Sequence, residues 1–175
     1  MKVLYYIFSV VVACLCAVSC SVMGSEMIWD INPIVLHIYV SDSDGNNLLS
    51  EESSGSGHLD IDKIYAVFDG QDYQLSTDVD EGNEPQTKAY MPQFQGLQLR
   101  TDFYGNKYLS FGELDGQEEL KNVDLIIYWG DGTSDTITIF NHFKWKLSGE
   151  PSITRRYYVN GKQTESDIAT FRFVK

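Results

Sequence analysis

The sequence predicts an all-β domain, an antiparallel two-sheet sandwich of the immunoglobulin-like or transthyretin-like kind, preceded by an N-terminal export leader. Short runs rich in β-branched and aromatic residues recur along the chain, and Asp-Gly, Asn-Gly and other Gly-rich turns separate them. Beyond the leader, no segment keeps the apolar period of an amphipathic helix. We therefore expect about eight to ten short strands with frequent turns.

Residues 34–40 are the first expected strand. Their alternation puts Leu36, Ile38 and Val40 on a core-facing side. Pro33 suits the start of a strand, where a missing amide donor is tolerated. Residues 42–60 are dense in Ser, Gly and acidic residues, so we expect a long loop there.

The later strands follow at short intervals. We expect them at residues 61–68, 73–75, 87–91, 94–101, 107–111, 123–129, 135–146, 153–159 and 170–174. Gly-Asp-Gly at 130–132 predicts a tight reversal, and Asn-Gly at 160–161 predicts that the last two strands form a hairpin. Residues 113–120 are the only candidate for a helical turn. We expect Ile127 and Ile139 to be buried together with Leu36 and Ile38.

Residues 1–19 look like a lipoprotein signal peptide. Lys2 supplies a positive start, an apolar run follows, and Ala-Val-Ser at 17–19 forms a small-residue cleavage site just before Cys20. Cys20 is the predicted lipid attachment site. The predicted organisation is a signal peptide over 1–19, an acylated cysteine and tether over 20–28, and a single β-sandwich domain over 29–175.

Other interpretations of the leader remain open at this point. Cys14 also follows a box of small and medium residues, although the apolar core before it would be short. A retained membrane helix needs roughly 20 apolar residues, and the run after Lys2 falls short of that length. An ordinary cleaved signal peptide would leave Cys20 as an unmodified thiol.

Charge and cysteine content exclude several classes of function. The formal net charge of −12 opposes binding to nucleic acid and to anionic headgroups. All 3 cysteines lie in the first 20 residues, so the mature domain has no thiol for catalysis, disulfides or a cysteine-ligated zinc site. The fold must then be held by its apolar and aromatic core.

The candidate metal sites are incomplete. Residues 42–46 (Asp-Ser-Asp-Gly-Asn) match the opening of a calcium loop, but Asn47 replaces the bend glycine and Ser53 replaces the closing glutamate. A solvated turn explains them better. The carboxylates of a second acidic loop could share an ion with another loop, but such runs are usually solvated. The histidines lack metal-ligand spacing, so we expect no metal and no cofactor. These residues are Asp78, Asp80, Glu81, Glu84, His37, His58 and His142.

No catalytic residues are identified. No serine is framed as Gly-x-Ser-x-Gly. Exposed aromatic residues are the remaining candidates for a ligand-binding site, since flat sugar faces stack on Trp and Tyr. Such a glycan site could be lined by Trp29, Trp129 or Trp145. Alternatively, these large rings could fill the core. Residues 143–146 alternate aromatic and basic, and Lys144 and Lys146 could also protect an edge strand.

Several turn-and-strand patterns span most of the mature chain. They lie at 29–33 (Trp-Asp-Ile-Asn-Pro), 41–49, 128–133, 158–162 and 171–175. With the leader and Cys20, the sequence resembles the exported lipoproteins of unknown function that are common in Bacteroidetes. The resemblance implies an envelope-anchored β domain, in the outer membrane and on its periplasmic or surface-exposed face. It brings no catalytic residues.

The expected function is that of a lipid-anchored, non-enzymatic module that binds an extracellular glycan or an envelope protein. The alternatives are an accessory hydrolase for polymeric substrates and a structural or adhesin component. Two converging carboxylates would favour hydrolysis. A flat platform of Trp and Tyr would favour glycan binding, and open strand edges would favour assembly. The expected partners are the membrane, through the lipid, and a glycan or envelope protein, but not nucleic acid.

Overall fold

The computed structural model describes residues 29–50, 59–77, 93–165 and 168–175. Where apolar and polar residues alternate in the sequence, buried and partly exposed side chains alternate along the strand. In the first strand, β1 (Ile34–Ser41), every second side chain is buried. Nine more strands and one short 3-10 turn (Ile61–Lys63) follow among the described residues. The strands are β2 (Tyr65–Phe68), β3 (Gln71–Gln74), β4 (Leu97–Thr101), β5 (Lys107–Leu114), β6 (Leu120–Tyr128), β7 (Ser134–Trp145), β8 (Pro151–Val159), β9 (Lys162–Gln163) and β10 (Thr170–Val174).

These strands form two sheets that pack as a sandwich, as predicted. The four-stranded sheet has the order β10-β1-β5-β4, and the six-stranded sheet has the order β3-β2-β6-β7-β8-β9. Every pairing is antiparallel except the one between β1 and β10, which is parallel. Residues 31–175 separate as one compact unit; of the unit Met1–Asp30, only Trp29 and Asp30 are described, and both are exposed.

The core lies between the inner faces of the two sheets. Leu36, Ile38, Ile127 and Ile139 are all fully buried, which confirms the predicted core positions. Aromatic side chains join the two sheets across the core. The ring pairs are Phe68 with Phe111, Trp129 with Phe173, and Tyr157 with Phe171, at centroid separations of 5.3, 5.7 and 5.6 Å. Aromatic burial thus supplies the cohesion that disulfides would give a smaller exported domain.

The predicted last hairpin is wrong. Asn160 and Gly161 do form a tight turn, both with positive φ, but the turn leads into the short strand β9. Strand β10 crosses to the other sheet and pairs with β1 instead. From that sheet Phe171 and Phe173 are buried against Tyr157 and Trp129 of the other sheet. Local turn chemistry gives no information about such a crossover, because it concerns only the residues beside the turn.

Two smaller differences concern local structure, and one predicted strand cannot be compared. Residues 61–63 form a 3-10 turn, so β2 starts only at Tyr65. Residues 113–120 contain no helical turn; β5 continues to Leu114, and the Asp115 carboxylate accepts a hydrogen bond from the Gln117 amide at 2.8 Å. The strand expected over 87–91 lies outside the described residues.

A polar cluster fastens the end of the chain to the second sheet. The Asp135 carboxylate accepts hydrogen bonds from Trp129 Nε1 at 2.7 Å and from Asn160 Nδ2 at 2.8 Å. It also pairs with Lys175 Nζ at 3.1 Å, and both side chains are less than one-fifth exposed. The Lys175 ammonium lies 5.1 Å from the Trp129 ring centroid. The residue after β10 is therefore held by the β6–β7 hairpin.

Candidate functional site

The outer face of the four-stranded sheet carries one row of aromatic and cationic side chains that crosses all its strands. Register pairs Arg172 of β10 with Tyr39 of β1, and Tyr108 of β5 with Arg100 of β4. Tyr39 and Tyr108 lie side by side in the two central strands. Their chain neighbours face the core, so strand alternation turns the row outward. We call this row, together with His37, the platform.

The aromatic centre of the platform is a stacked group. The Tyr39 and Tyr108 rings are 5.2 Å apart between centroids and inclined by only 22°. The His37 ring lies 5.2 Å from Tyr108 at an angle of 58°. Each side chain is half-buried by its neighbours and keeps an outward surface. Two nearly parallel rings on a sheet give a flat apolar area that a planar or ring-shaped ligand can cover.

A guanidinium group stands at each end of the row. The Arg172 guanidinium lies 4.6 Å from the Tyr39 ring centroid. Arg100 donates from Nε and Nη2 to Gln98 Oε1, at 3.0 and 2.7 Å, and from Nη2 to Gln95 Oε1 at 2.8 Å. Neutral amides therefore orient Arg100. Within the described parts of the chain, neither arginine forms a salt bridge with a carboxylate.

The β4–β5 hairpin borders the platform. Asp102 Oδ1 accepts hydrogen bonds from the Tyr104 amide at 2.9 Å and the Asn106 amide at 2.8 Å, and Asp102 Oδ2 accepts one from Asn106 Nδ2 at 3.1 Å. Partial burial acts to raise the pKa of Asp102, but these hydrogen bonds outweigh it and the pKa falls below its usual value. At the tip, Phe103 and Tyr104 are 96% and 85% exposed. The hairpin thus extends the aromatic surface beyond the sheet.

Two titratable groups in the platform are shifted toward their neutral forms. Burial, and then the positive charge of Arg100, lowers the pKa of His37 below 6.5. Burial, and then the negative charge of Asp102, raises the pKa of Tyr39. At neutral pH the centre of the platform is therefore uncharged, and its formal charge lies at Arg100 and Arg172.

The three tryptophans that could line a glycan site or fill the core differ in exposure. Trp129 is fully buried, which confirms the core alternative for this residue, and its Nε1 donates to Asp135 at 2.7 Å. Trp145 is 53% exposed at the end of β7, and Trp29 is 38% exposed. Lys144 is exposed as well. Strand β7 pairs with β6 only as far as Asn141, and Lys144 pairs with Ser152 of β8 alone, so its role as a guard of an edge strand stays a prediction.

The predicted calcium-like loop forms a hydrogen-bonded turn. Asp42 Oδ1 accepts hydrogen bonds from the amides of Asp44 and Asn46 at 2.9 and 2.8 Å, and Asp42 Oδ2 accepts one from the Asn46 side chain at 2.8 Å. His142 pairs with Glu119 at 2.8 Å. Among the described residues, no group of three or more His, Cys, Asp and Glu could hold a metal ion. Cys20, His58 and the acidic loop at 78–84 lie outside them.

Sequence reasoning missed the platform. Alternation in β1 already implied that His37 and Tyr39 face outward, and Lys-Tyr-Leu-Ser-Phe at 107–111 implied the same for Tyr108. The missing information was which strands are neighbours. The parallel pairing that brings Arg172 beside Tyr39 has no local signature in the sequence.

No family model, curated protein or solved structure matches the chain. In the described part of the chain, no helix is long and apolar enough to span a membrane.

Proposed function

We propose that this protein is a non-enzymatic glycan-binding module, anchored to the bacterial cell envelope through a lipid on Cys20. The observation that carries the proposal is the outward-facing stack of Tyr39 on Tyr108, at 5.2 Å and 22°. The flat C–H face of a pyranose ring packs on such rings, because it is apolar while its rim is polar. The sheet supplies a rigid base for this contact.

Polar groups around the rings suit the hydroxyl rim of a sugar. His37 is uncharged at neutral pH, so its imidazole both donates and accepts hydrogen bonds. Arg100 offers its Nη1 donors, and Gln98 holds it in place. Binding sites typically combine an apolar floor with a few such polar groups in fixed positions.

The arrangement of carboxylates favours binding over hydrolysis. Hydrolysis of a glycosidic bond usually needs two carboxyl groups that flank the bond. Asp102 is the carboxylate whose negative charge acts on Tyr39, and the amides of its own turn and the Asn106 side chain already occupy its oxygens. We therefore assign the platform to recognition and not to catalysis.

Affinity electrophoresis and calorimetry on a panel of neutral and acidic polysaccharides test the proposal. Tyr39→Ala and Tyr108→Ala should each weaken binding at least about tenfold, as expected for a central aromatic contact. Tyr128→Ala is the matched control. Tyr128 stacks on Tyr65 at 4.6 Å and 7° on the other sheet, so this variant also loses a stacked tyrosine. Equal losses from Tyr128→Ala, or no binding by the wild type, would refute the proposal.

An envelope protein as partner is the second candidate, and one observation favours it. At the free end of the β7–β8 hairpin, Phe143 pairs with Ile153 and Trp145 pairs with Pro151, which leaves an apolar group partly exposed. Trp145→Ser would abolish co-purification of such a partner from envelope extracts and leave polysaccharide binding intact. If Trp145→Ser instead weakens polysaccharide binding and leaves co-purification intact, Trp145 belongs to the glycan surface.

A further inference from the structure

We propose that the platform selects glycans that carry anionic groups, either carboxylates or sulfate esters. This inference rests on the proposed function, because it assigns a class of sugar to the same surface. The chain has 25 acidic and 13 basic residues, and its net charge of −12 repels polyanions in general. The two arginines of the platform have no carboxylate in a salt bridge among the described residues, so this surface is a local exception that suits an anionic ligand.

The positions of the arginines match an extended anionic chain. Arg172 and Arg100 occupy the two outer strands, and the tyrosines occupy the two central strands. Three interstrand spacings put the outer strands about 14 Å apart. That span exceeds the width of one sugar ring, so the row fits an oligosaccharide whose rings lie on the tyrosines and whose charged groups reach the arginines.

Guanidinium chemistry fits the proposed ligand. Arginine donates charge-assisted hydrogen bonds to a carboxylate or sulfate, and such bonds are stronger than neutral ones. Arg100 is held by Gln98 and Gln95 and uses Nε and Nη2 for them, while Nη1 makes no hydrogen bond among the described residues. Arg172 is held against the Tyr39 ring. Both groups are ordered before binding, which lowers the entropic cost of association.

The test compares charged polysaccharides with matched neutral ones. The protein is produced from the full coding sequence, and its affinity is measured for polygalacturonate, alginate and hyaluronan and for the carboxyl-reduced form of each. Dextran sulfate and dextran form the sulfate arm. We expect at least one charged polymer to bind about tenfold or more tightly than its neutral counterpart, with an affinity that falls as salt is added. The arm in which this occurs identifies the anionic group.

Arginine variants separate specific recognition from general attraction. Arg100→Gln and Arg172→Gln should each remove most of the preference for the charged polymer and leave binding of the neutral polymer unchanged. Arg156→Gln is the matched control, since the Arg156 guanidinium also lies over a ring, that of Phe140, at 4.7 Å on the other sheet. It should keep the preference.

The outcomes that overturn the inference differ from those that overturn the proposed function. Equal binding of charged and neutral polymers, with loss in Tyr108→Ala, refutes anionic selection and keeps the glycan module. If Arg156→Gln reduces the preference for the charged polymer as much as Arg100→Gln and Arg172→Gln do, the assignment of this preference to Arg100 and Arg172 is wrong. If no polymer of either kind binds, both the inference and the proposed function are wrong.

Discussion

The guanidinium of Arg172 lies 4.6 Å from the centroid of the Tyr39 ring, across the parallel junction between β10 and β1. A cation over an exposed tyrosine contributes about 0.5–1 kcal/mol. The contact therefore orients the arginine more than it stabilises the fold. Because Tyr39 also stacks on Tyr108, the position of Arg172 depends on residues from three different strands.

The aromatic core should dominate the stability of the domain. Phe111 is fully buried and its ring contacts Phe68, Tyr73 and Phe94. Phe111→Ala should lower the free energy of unfolding by about 3–5 kcal/mol, from lost burial and an unfilled cavity. Urea unfolding followed by tryptophan fluorescence measures this. The control Phe103→Ala, at a position that is 96% exposed, should change stability by less than about 0.5 kcal/mol.

The ion pair at the end of the chain should matter more than a surface pair. Lys175→Met removes the partner of Asp135 while Trp129 and Asn160 still donate to that carboxylate, so we expect a loss of about 1–3 kcal/mol. The matched variant Lys146→Met breaks an exposed pair with Glu150 and should cost about 0–1 kcal/mol. If urea unfolding shows the same loss in the free energy of unfolding for both variants, the partial burial of Lys175 does not strengthen its ion pair.

The pKa of His37 predicts a pH dependence of stability. Because burial and Arg100 lower this pKa in the folded state, the unfolded chain binds the proton more readily below about pH 6.5. Stability should fall as the pH drops from about 6.5 through the folded-state pKa, and it should level off for this group below that value. His37→Gln should flatten this part of the profile in urea unfolding at a series of pH values. An unchanged slope would exclude His37 as its source.

The lipid anchor is a prediction from the leader. Cys20→Ala should abolish incorporation of labelled palmitate and release the protein from membranes, since stable anchoring needs two or more acyl chains. Cys14→Ala and Cys16→Ala alter only residues that cleavage removes, so they should retain the label. If Cys20→Ala still carries palmitate, the leader is a retained helix or another cysteine is modified.

Strand positions and core faces follow largely from the sequence, because side-chain alternation is a local property. Leu36, Ile38, Ile127 and Ile139 were predictable as core residues for this reason. The partner of each strand is a different matter. The sequence predicts that Phe171 and Phe173 lie in one arm of a hairpin, yet β10 pairs with the first strand and buries both rings there.

The candidate site depends on this non-local information. The sequence left Trp129 open between a ligand contact and a core position, and the structure buries it fully with its N–H donating to Asp135. Tyr39 and Tyr108 are far apart in sequence and carry no motif. Only the antiparallel pairing of β1 with β5 makes them neighbours.

Strand register gives the four-stranded sheet two unlike ends. Because Ile34 pairs with Leu114 and Ile38 pairs with Leu109, the 102–106 turn lies beyond the end of β1 that is opposite to Ile34. The exposed rings of Phe103 and Tyr104 therefore lie at the end of the sheet that is nearer to Tyr39 and Tyr108. A polymer longer than the row could continue from the stacked tyrosines onto the tip of this hairpin.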